Sequence, residues 1–352
     1  MKRLVVVLLV ASVASMWAPG PTGALPKGLD VSTYKSGLNF PIDMAWVPGT
    51  KRIFFTEKTG KIRILDGHNL RQMACANLNV NSDGERGLLG IVLHPNYKQN
   101  HWLYVYYSNA SPLENRVTRF TVNGRNCTNR NHIITGISAA SSGYHNGGQL
   151  EFVGKKLFVS TGERHQPNLA QKKNNRLGKI LRYNADGSVP EGNPFSRQEN
   201  KNPVWSYGHR NPFGLTHKPG SKILIETENG PSCDDEMNRI RKGRNYGWGN
   251  GDDCGPGGAG PNPKEPLWRW SNIVVTTDPW WYQGPLKRLN NSLFVGEYST
   301  GRLHKFKLNR TGSNVRKHSI AFNNPEGILD VSKGPGGNLY FLTNDSIRRI
   351  HN

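Results

Sequence analysis

Pairs of short apolar strands, joined by turns that contain glycine, recur along the chain. In the stretch RIFFTEKTGKIRIL, residues 52–65, the second strand alternates basic and apolar side chains. Such alternation gives a strand one buried and one solvated face, because successive side chains point to opposite sides of a sheet. The same plan returns at residues 102–122, 156–187, 222–243, 292–308 and 338–350. Helical periodicity is almost absent, so the pattern predicts an all-β protein.

The spacing of the strand pairs indicates the architecture. They follow one another at intervals of roughly 40–65 residues, a period expected of propeller blades with four short strands each. A two-sheet sandwich is the alternative, but it rarely uses so long a chain as one domain. We therefore expect a six-bladed β-propeller that forms a single domain over residues 25–352. Loops from different blades of such a ring meet at the channel mouth, where distant residues can form one site.

The N-terminus has the pattern of a processing signal. Lys2 and Arg3 precede an apolar run at residues 4–13, and small residues follow up to Ala24, which is the order of a secretory signal peptide. The run is too short to span a bilayer, which takes about 20 apolar residues. We therefore expect residues 1–24 to be removed, and the mature protein to be secreted to the periplasm or the cell exterior without spanning the membrane.

Four cysteines suit an exported chain, because disulfides persist in oxidising compartments. Three pairings are open to them. Proximity in sequence favours Cys75 with Cys127 and Cys233 with Cys254. Free buried thiols are the alternative.

The mature chain is strongly basic. The sequence has 46 Lys and Arg against 25 Asp and Glu; without Lys2 and Arg3, 44 basic residues against 25 acidic ones leave a formal charge of +19. Such a field attracts polyanions. The basic residues are dispersed, however, and we find no motif of a recognised nucleic-acid-binding kind. A solvated basic surface is the favoured interpretation, and contact with a polyanion is the alternative.

Four stretches combine glycine or proline with charge or histidine, and these carry the candidate chemistry. They are GERGLLGIVLHP (84–95), SSGYHNGGQLEF (141–152), SYGHRNPFGL (206–215) and ENGPSCDDEMNRIRKGRNYGWGN (228–250). In this order and spacing they resemble the soluble quinoprotein glucose/sorbosone dehydrogenase family, the aldose dehydrogenases that depend on pyrroloquinoline quinone (PQQ). GKILRYNADGSVPEGNPF (178–195) and GPGGNLYFLTND (334–345) extend the resemblance over residues 38–350.

The resemblance implies a six-bladed propeller with PQQ over the channel mouth and calcium beneath it. His145 matches the catalytic base, which takes the proton of a sugar's anomeric hydroxyl while hydride leaves the same carbon; imidazole suits this task because it titrates near neutral pH. Glu163 matches the carboxylate that orients this histidine, where glucose-oxidising members carry Asp. Arg210 matches an arginine that stabilises negative charge on the quinone oxygens. On its own, His145 would be an ordinary loop histidine.

The resemblance also implies two calcium positions. The backbone carbonyls of Gly230 and Pro231 match ligands of the cofactor-side calcium, and Asp235 adds a carboxylate nearby. Glu236 with Tyr246 matches a second, structural calcium. Calcium takes oxygen ligands of these kinds. An acidic turn without metal is the alternative.

Part of the cofactor-binding pattern is absent. Glu85 stands where quinone-binding members have a glutamine that faces the cofactor. The segment GILDV, residues 327–331, lacks the two arginines that bind the cofactor carboxylates in the family. A lysine of the preceding blade is also missing, unless Arg302 or Lys305 replaces it. Charge-assisted pairs are the strong ones, so we expect a site that resembles the family around the reacting atoms and differs around the cofactor's tail.

Two functions follow from this asymmetry. The first is an exported PQQ- and calcium-dependent oxidoreductase that oxidises aldose sugars to lactones and passes electrons to an external acceptor. The second is a non-catalytic extracellular calcium-binding propeller that binds carbohydrate or a protein partner. The aromatic run Trp280-Trp281-Tyr282 could stack on a sugar face or fill the core between blades, and both interpretations stay open.

Overall fold

The strands of the chain form a ring of six antiparallel sheets. The computed structural model describes residues 25–197, 201–251 and 254–352, and the predicted signal peptide lies outside these residues. Nearly all regular structure in the described residues is strand. The first strand of each sheet contacts the first strands of its two neighbours around a central channel. The predicted six-bladed β-propeller is therefore confirmed.

Blades 1 to 3 follow one another along the first part of the chain. Blade 1 comprises β2 (Pro41–Trp46), β3 (Arg52–Glu57), β4 (Lys61–Asp66), β5 (Asn69–Leu70) and β6 (Ala76–Asn77). Blade 2 comprises β7 (Leu88–Leu93), β8 (Trp102–Asn109), β9 (Glu114–Asn123) and β10 (Asn126–Ser138). Blade 3 comprises β11 (Gly147–Val153), β12 (Lys156–Thr161), β13 (Lys179–Asn184) and β14 (Val204–Tyr207).

The remaining three blades complete the ring. Blade 4 comprises β15 (Pro212–His217), β16 (Leu224–Glu228), β17 (Asp235–Ile240) and β18 (Trp268–Trp270). Blade 5 comprises β19 (Trp280–Tyr282), β20 (Ser292–Gly296), β21 (Arg302–Leu308) and β22 (Val315–Asn323). Blade 6 comprises β23 (Asp330–Lys333), β24 (Leu339–Leu342), β25 (Ile347–His351) and the N-terminal strand β1 (Asp30–Lys35).

The N-terminal strand closes the ring. β1 pairs antiparallel with β25, with Asp30 opposite His351, so the outer edge of blade 6 comes from the other end of the chain. Radial closure of this kind leaves only short strand edges exposed.

The strand pairs seen in the sequence are the two middle strands of each blade, namely β3–β4, β8–β9, β12–β13, β16–β17, β20–β21 and β24–β25. In β4 the alternation is as expected, with Ile62 and Ile64 buried and Lys61 exposed. The first strands do not show it as clearly, because nearly all of their residues are buried or half-buried.

The core consists of six apolar clusters, one between each pair of adjacent blades. Phe54 of blade 1 and Leu103 of blade 2, for example, are fully buried in the same cluster. In the aromatic run of β19, Trp281 lies in the cluster between blades 4 and 5, and Tyr282 lies in the one between blades 5 and 6. These two rings fill the core rather than face a ligand.

The helices of the described residues are short. They are α1 (Tyr97–Asn100), α2 (Pro167–Gln171) and the 3-10 turn Pro335–Gly337. In the part of the chain that the structure describes, no helix has the length and apolar character needed to cross a membrane.

Both disulfides predicted from sequence proximity are present. Cys75 and Cys127, with Cα atoms 5.0 Å apart, tie blade 1 to blade 2. Cys233 and Cys254, with Cα atoms 6.0 Å apart, close a loop of blade 4. All four cysteines are therefore paired.

Candidate functional site at the channel mouth

The candidate residues cluster at the end of the channel where the first strands begin. Glu85, His145 and Arg210 lie just before β7, β11 and β15, the first strands of blades 2, 3 and 4. Three loops far apart in sequence therefore meet at one mouth, as the propeller geometry requires.

His145 is held in a left-handed backbone conformation, with φ of +55°. This conformation is unfavourable for a residue with a side chain. Its backbone N–H donates to Glu85 Oε2 at 2.8 Å. A Cβ atom on Gly162 would lie 2.2 Å from the carbonyl oxygen of His145, so only glycine allows this close approach. The histidine is thus fixed by contacts with another blade and with the loop after β12.

A buried carboxylate orients the imidazole of His145. His145 Nδ1 lies 2.5 Å from Glu163 Oε1, and Glu163 is fully buried. The other oxygen of Glu163 accepts the N–H of Gln166 at the start of α2, and the Glu163 N–H donates to the carbonyl of Arg210 at 2.9 Å. With Nδ1 facing the carboxylate, Nε2 is the ring nitrogen that is left to act as a proton acceptor.

Asn211 connects the three loops, a role that the sequence alone did not reveal. Its Nδ2 donates to Glu85 Oε2 at 3.0 Å, and its Oδ1 accepts the N–H of Gly147 at 3.1 Å. One oxygen of Glu85 therefore accepts from both Asn211 and His145. The position of Asn211 directly after Arg210 was the available signal.

Arg210 lies beside the pair His145–Glu163 and is largely buried. Its Nη1 donates to the carbonyl of Asn229 at 2.8 Å, and its guanidinium lies 5.3 Å from the ring centre of Trp248. Burial lowers the pKa of Arg210, while nearby carboxylates, Glu163 first, oppose the shift. Arginine remains cationic at neutral pH, so the site holds a desolvated positive charge.

A second histidine, which sequence reasoning also missed, adjoins the first. The ring of His165 lies 4.1 Å from that of His145 and perpendicular to it, and the exposed Tyr144 stacks on His165. Burial, followed by the effect of His145, lowers the pKa of His165. At neutral pH this neighbour is therefore a neutral polar group.

The Gly-Pro turn leaves its carbonyls free. No described residue donates a hydrogen bond to the carbonyl oxygen of Gly230 or Pro231, and both residues line a cavity of about 40 Å³ that also contacts Arg210. Asp235 is buried, and its two oxygens accept the N–H groups of Gly230, Val274 and Val275. Asp235 thus holds the turn in place through hydrogen bonds, and the free carbonyls are the oxygens that remain for a cation.

At the second expected calcium position, the carboxylate already has a cationic neighbour. Arg269 Nη2 lies 3.4 Å from Glu236 Oε1. Burial, followed by repulsion from Glu228, raises the pKa of Glu236 to about 8. Tyr246 directs its hydroxyl to backbone groups at residues 239 and 241, so only its main-chain carbonyl remains as a candidate ligand.

The side of the channel mouth formed by blades 5 and 6 differs from the side formed by blades 2 to 4. Arg302 lies at the start of β21, and its guanidinium makes no hydrogen bond or ion pair with the described residues. In segment 327–331, Ile328 and Leu329 are buried in the clusters on either side of blade 6. This segment therefore offers no cation to a ligand.

Comparisons with known proteins point to one family. The family model described as Glucose / Sorbosone dehydrogenase matches residues 38–351. Protein slr1608 of Synechocystis is 30% identical over 343 residues, 88% of this chain and 82% of that protein. Aldose sugar dehydrogenase YliI of Escherichia coli is 27% identical over 358 residues, 96% and 94% of the two chains. The PQQ-bound aldose sugar dehydrogenase of Streptomyces coelicolor has a TM-score of 0.78 at 28% identity, and the match covers 93% of this chain and 99% of that one.

Proposed function

The chain belongs to the glucose/sorbosone dehydrogenase family of sugar-oxidising enzymes, and from this premise we propose that it is a PQQ- and calcium-dependent oxidoreductase. It converts the anomeric hydroxyl of an aldose to the carbonyl of a lactone. The observation that carries the proposal is the buried pair His145–Glu163, joined at 2.5 Å at the channel mouth.

The proton of the anomeric hydroxyl passes to Nε2 of His145. Glu163 then stabilises the imidazolium through the Nδ1 hydrogen bond, as a carboxylate does behind any catalytic histidine. The longer side chain, Glu instead of Asp, still reaches the imidazole, since His145 Nδ1 and Glu163 Oε1 lie 2.5 Å apart. Hydride leaves the same carbon as the proton leaves its oxygen.

The residues near the reacting atoms fit the quinone and calcium. PQQ, when bound, supplies the acceptor for the hydride. Arg210 would face the quinone oxygens and stabilise their developing charge, because a desolvated guanidinium is a strong partner for an oxyanion. The free carbonyls of Gly230 and Pro231 would hold calcium, since hard cations prefer such oxygens.

The residues around the tail of the cofactor fit less well. Glu85 adds a negative charge, and segment 327–331 adds no positive one. The second candidate function, a non-catalytic calcium-binding propeller, is favoured by this lack of cations. We rank the binding module second, because that function would not explain the buried carboxylate that contacts His145.

The proposal includes the partners and the compartment. The partners are an aldose sugar and an external electron acceptor, and the compartment is the periplasm or the cell exterior if residues 1–24 direct export. The formal charge of the mature chain supports a diffuse contact with polyanions and does not identify one.

Reconstitution tests the proposal. The purified mature chain is treated with chelator, then supplied with PQQ and calcium, and sugar-dependent dye reduction is measured over a panel of aldoses. Activity that needs all three of quinone, calcium and sugar supports the enzyme. If no PQQ binds at up to millimolar concentration while calcium still binds, the binding-module function replaces it.

A further inference from the structure

A carboxylate in blade 4 is buried without a partner. Glu226, on β16, is fully inaccessible to solvent. Neither of its two oxygens has a hydrogen-bond partner among the described residues. Buried polar groups are almost always paired, so this side chain requires an explanation.

Two further groups face the same point. Glu228 follows two residues later on β16 and therefore shares a face with Glu226. His209, fully buried in the loop between blades 3 and 4, lies beside them, and the three side chains place one ligand atom each within 4.8 Å of one another. Atoms that bind one zinc ion at 2.0–2.2 Å can be at most ~4.4 Å apart, so small side-chain rotations would complete the geometry.

The histidine presents its unpaired nitrogen to the carboxylates. His209 Nε2 lies 2.9 Å from Ser206 Oγ, which fixes the ring. Its Nδ1 is buried without a hydrogen-bond partner in the described part of the chain, 3.5 Å from Glu228 Oε1. Proteins usually orient a metal-binding histidine in this way, through a hydrogen bond to the ring nitrogen that does not bind the metal.

The strand next to β16 contributes an amide. Asn238 pairs with Glu226 in the sheet register, and its Nδ2 points to Glu228 and Glu236. Its Oδ1 is buried and also unpartnered within the described ranges. Among the described residues, Glu226, His209 and Asn238 therefore hold unpaired polar atoms in one buried region. Glu228 lies beside them, and its Oε2 accepts the backbone N–H of Arg210 at 2.7 Å.

The nearest cations do not neutralise this cluster. Arg269 pairs with Glu236 and Glu265, and the side chain of Arg210 donates to the carbonyl of Asn229. Burial first, then Glu228 and Glu236, raise the pKa of Glu226 well above its ordinary value and outweigh the effect of the Asn238 amide. Protonation would relieve the charge but would leave a buried hydroxyl without an acceptor.

We propose that His209, Glu226 and Glu228 bind a divalent transition-metal ion, with Asn238 Oδ1 as a fourth ligand. A mixed set of imidazole and carboxylates suits Zn²⁺ or Mn²⁺, whereas calcium is held by oxygen alone. The site is closed to solvent, so its role is structural. It fixes the loop that carries Arg210 to the second strand of blade 4.

This site adjoins the two calcium positions considered above, because Glu228 lines the cavity of Gly230 and Pro231 and lies opposite Glu236 in the sheet, but its ligand set is different. The first of those uses the carbonyls of Gly230 and Pro231, and the second uses Glu236, which pairs with Arg269. Neither involves Glu226 or a nitrogen ligand.

The test uses tag-free mature protein, because a histidine tag would itself bind the metal. Parent and Glu226→Gln are stripped with EDTA, dialysed, and titrated with Zn²⁺ or Ca²⁺ while the unfolding temperature and the bound metal are measured. We expect the parent to bind about one equivalent of Zn²⁺ with a rise of several degrees in Tm, and E226Q to lose both responses. Without metal, E226Q should equal or exceed the parent in Tm, because it lacks the unpaired carboxylate.

Glu151→Gln is the matched control. Glu151 is a half-buried carboxylate that pairs with a histidine, His217, between the same two blades, and its loss should leave zinc binding intact. A parent that binds no Zn²⁺ and whose Tm responds like that of E226Q would overturn the proposal. The proposal would also be overturned if Ca²⁺ raised the Tm of the parent above that of E226Q by more than Zn²⁺ does. Neither result depends on PQQ or on sugar oxidation, so failure here is distinguishable from failure of the proposed function.

Discussion

The loops of blades 2 to 4 and those of blades 5 and 6 face each other across the channel mouth, and they present different chemistry. On the first side, Glu85, Asn211, His145 and Glu163 form a continuous hydrogen-bonded chain, with Arg210 beside it. On the opposite side, segment 327–331 gives its larger side chains to the blade interfaces. The groups that we propose act on the reacting atoms thus lie on one side of the mouth, and the segment 327–331 on the other side supplies no cation for the far end of an anionic cofactor.

The difference extends into the channel. Blades 5, 6 and 1 place Asp278, Asp330 and Asp43 there, buried and with ligand oxygens within 4.8 Å of one another. Blades 5, 6 and 1 therefore do carry buried carboxylates, but these lie in the channel below its mouth. Under the proposed function, proton transfer depends on blades 2 to 4, whereas the charge available to the tail of the cofactor depends on Glu85 and on the loops of blades 5 and 6, so the two properties can be changed separately.

The largest effect is expected on the polar side. His145→Ala removes the proton acceptor and should lower turnover of the reconstituted enzyme by roughly 10²- to 10⁴-fold, the usual contribution of a positioned general base. PQQ binding should change little, because the imidazole acts on the sugar. Steady-state dye reduction and quinone titration measure the two quantities. His101→Ala, an exposed histidine of blade 2, is the control, and equal turnover in the two variants would refute the role of His145.

On the apolar side, a new cation should cost stability. Leu329 is 4% exposed within the cluster between blades 6 and 1, so Leu329→Arg buries an unpaired charge. We expect the free energy of unfolding to fall by at least ~3 kcal/mol, measured by denaturant titration. Leu329→Met, which preserves volume and polarity, should cost less than about 1.5 kcal/mol. A stable L329R variant that binds PQQ more tightly would show that the apolar side is not committed to packing.

The channel carboxylates predict a dependence of stability on pH. Burial, then Asp330 and Asp43, raise the pKa of Asp278 well above its ordinary value, and burial raises that of Asp43 to about 7. The folded state therefore retains protons that the unfolded state releases above about pH 4, so this contribution to stability falls as pH rises from about 4 through 7.

Asp278→Asn tests this dependence. The variant should be more stable than the parent at pH 8 by roughly 1–2 kcal/mol, and the gain should vanish near pH 4. Its amide oxygen can still accept the N–H of Leu215, which Asp278 Oδ1 now accepts at 2.7 Å. Urea titrations at several pH values measure the difference, with the exposed Asp30→Asn as control. A gain that is constant with pH would mean that Asp278 is ionised in the fold.

The smallest effect concerns the charge at Glu85. Glu85→Gln can keep both hydrogen bonds, because the N–H of His145 and Nδ2 of Asn211 share one carboxylate oxygen. Removing the charge should tighten PQQ binding by roughly three- to tenfold, about 0.7–1.4 kcal/mol. Quinone titration measures this, and Glu191→Gln, an exposed site on blade 3, is the control for net charge. Weaker binding in E85Q would indicate that the carboxylate itself contacts the cofactor.

The sequence by itself determined much of this protein. Alternation of side chains is a local property, so the six pairs of middle strands and the propeller could be predicted from it. Proximity of the cysteines sufficed for both disulfides. The motifs around residues 145, 163 and 210 were sufficient to select residues that the fold does bring together.

Only the tertiary structure decided how those residues are supported. Asn211 and Glu85 are 126 positions apart, and His145 and Glu85 are 60 apart, so no local pattern relates them. The sequence left open whether the aromatic run of β19 faces a sugar, and packing between blades settled it. Likewise, Glu226 looks like an ordinary strand carboxylate until blade 3 covers it with His209. Contacts between blades depend on closure of the ring, and closure is a property of the whole chain.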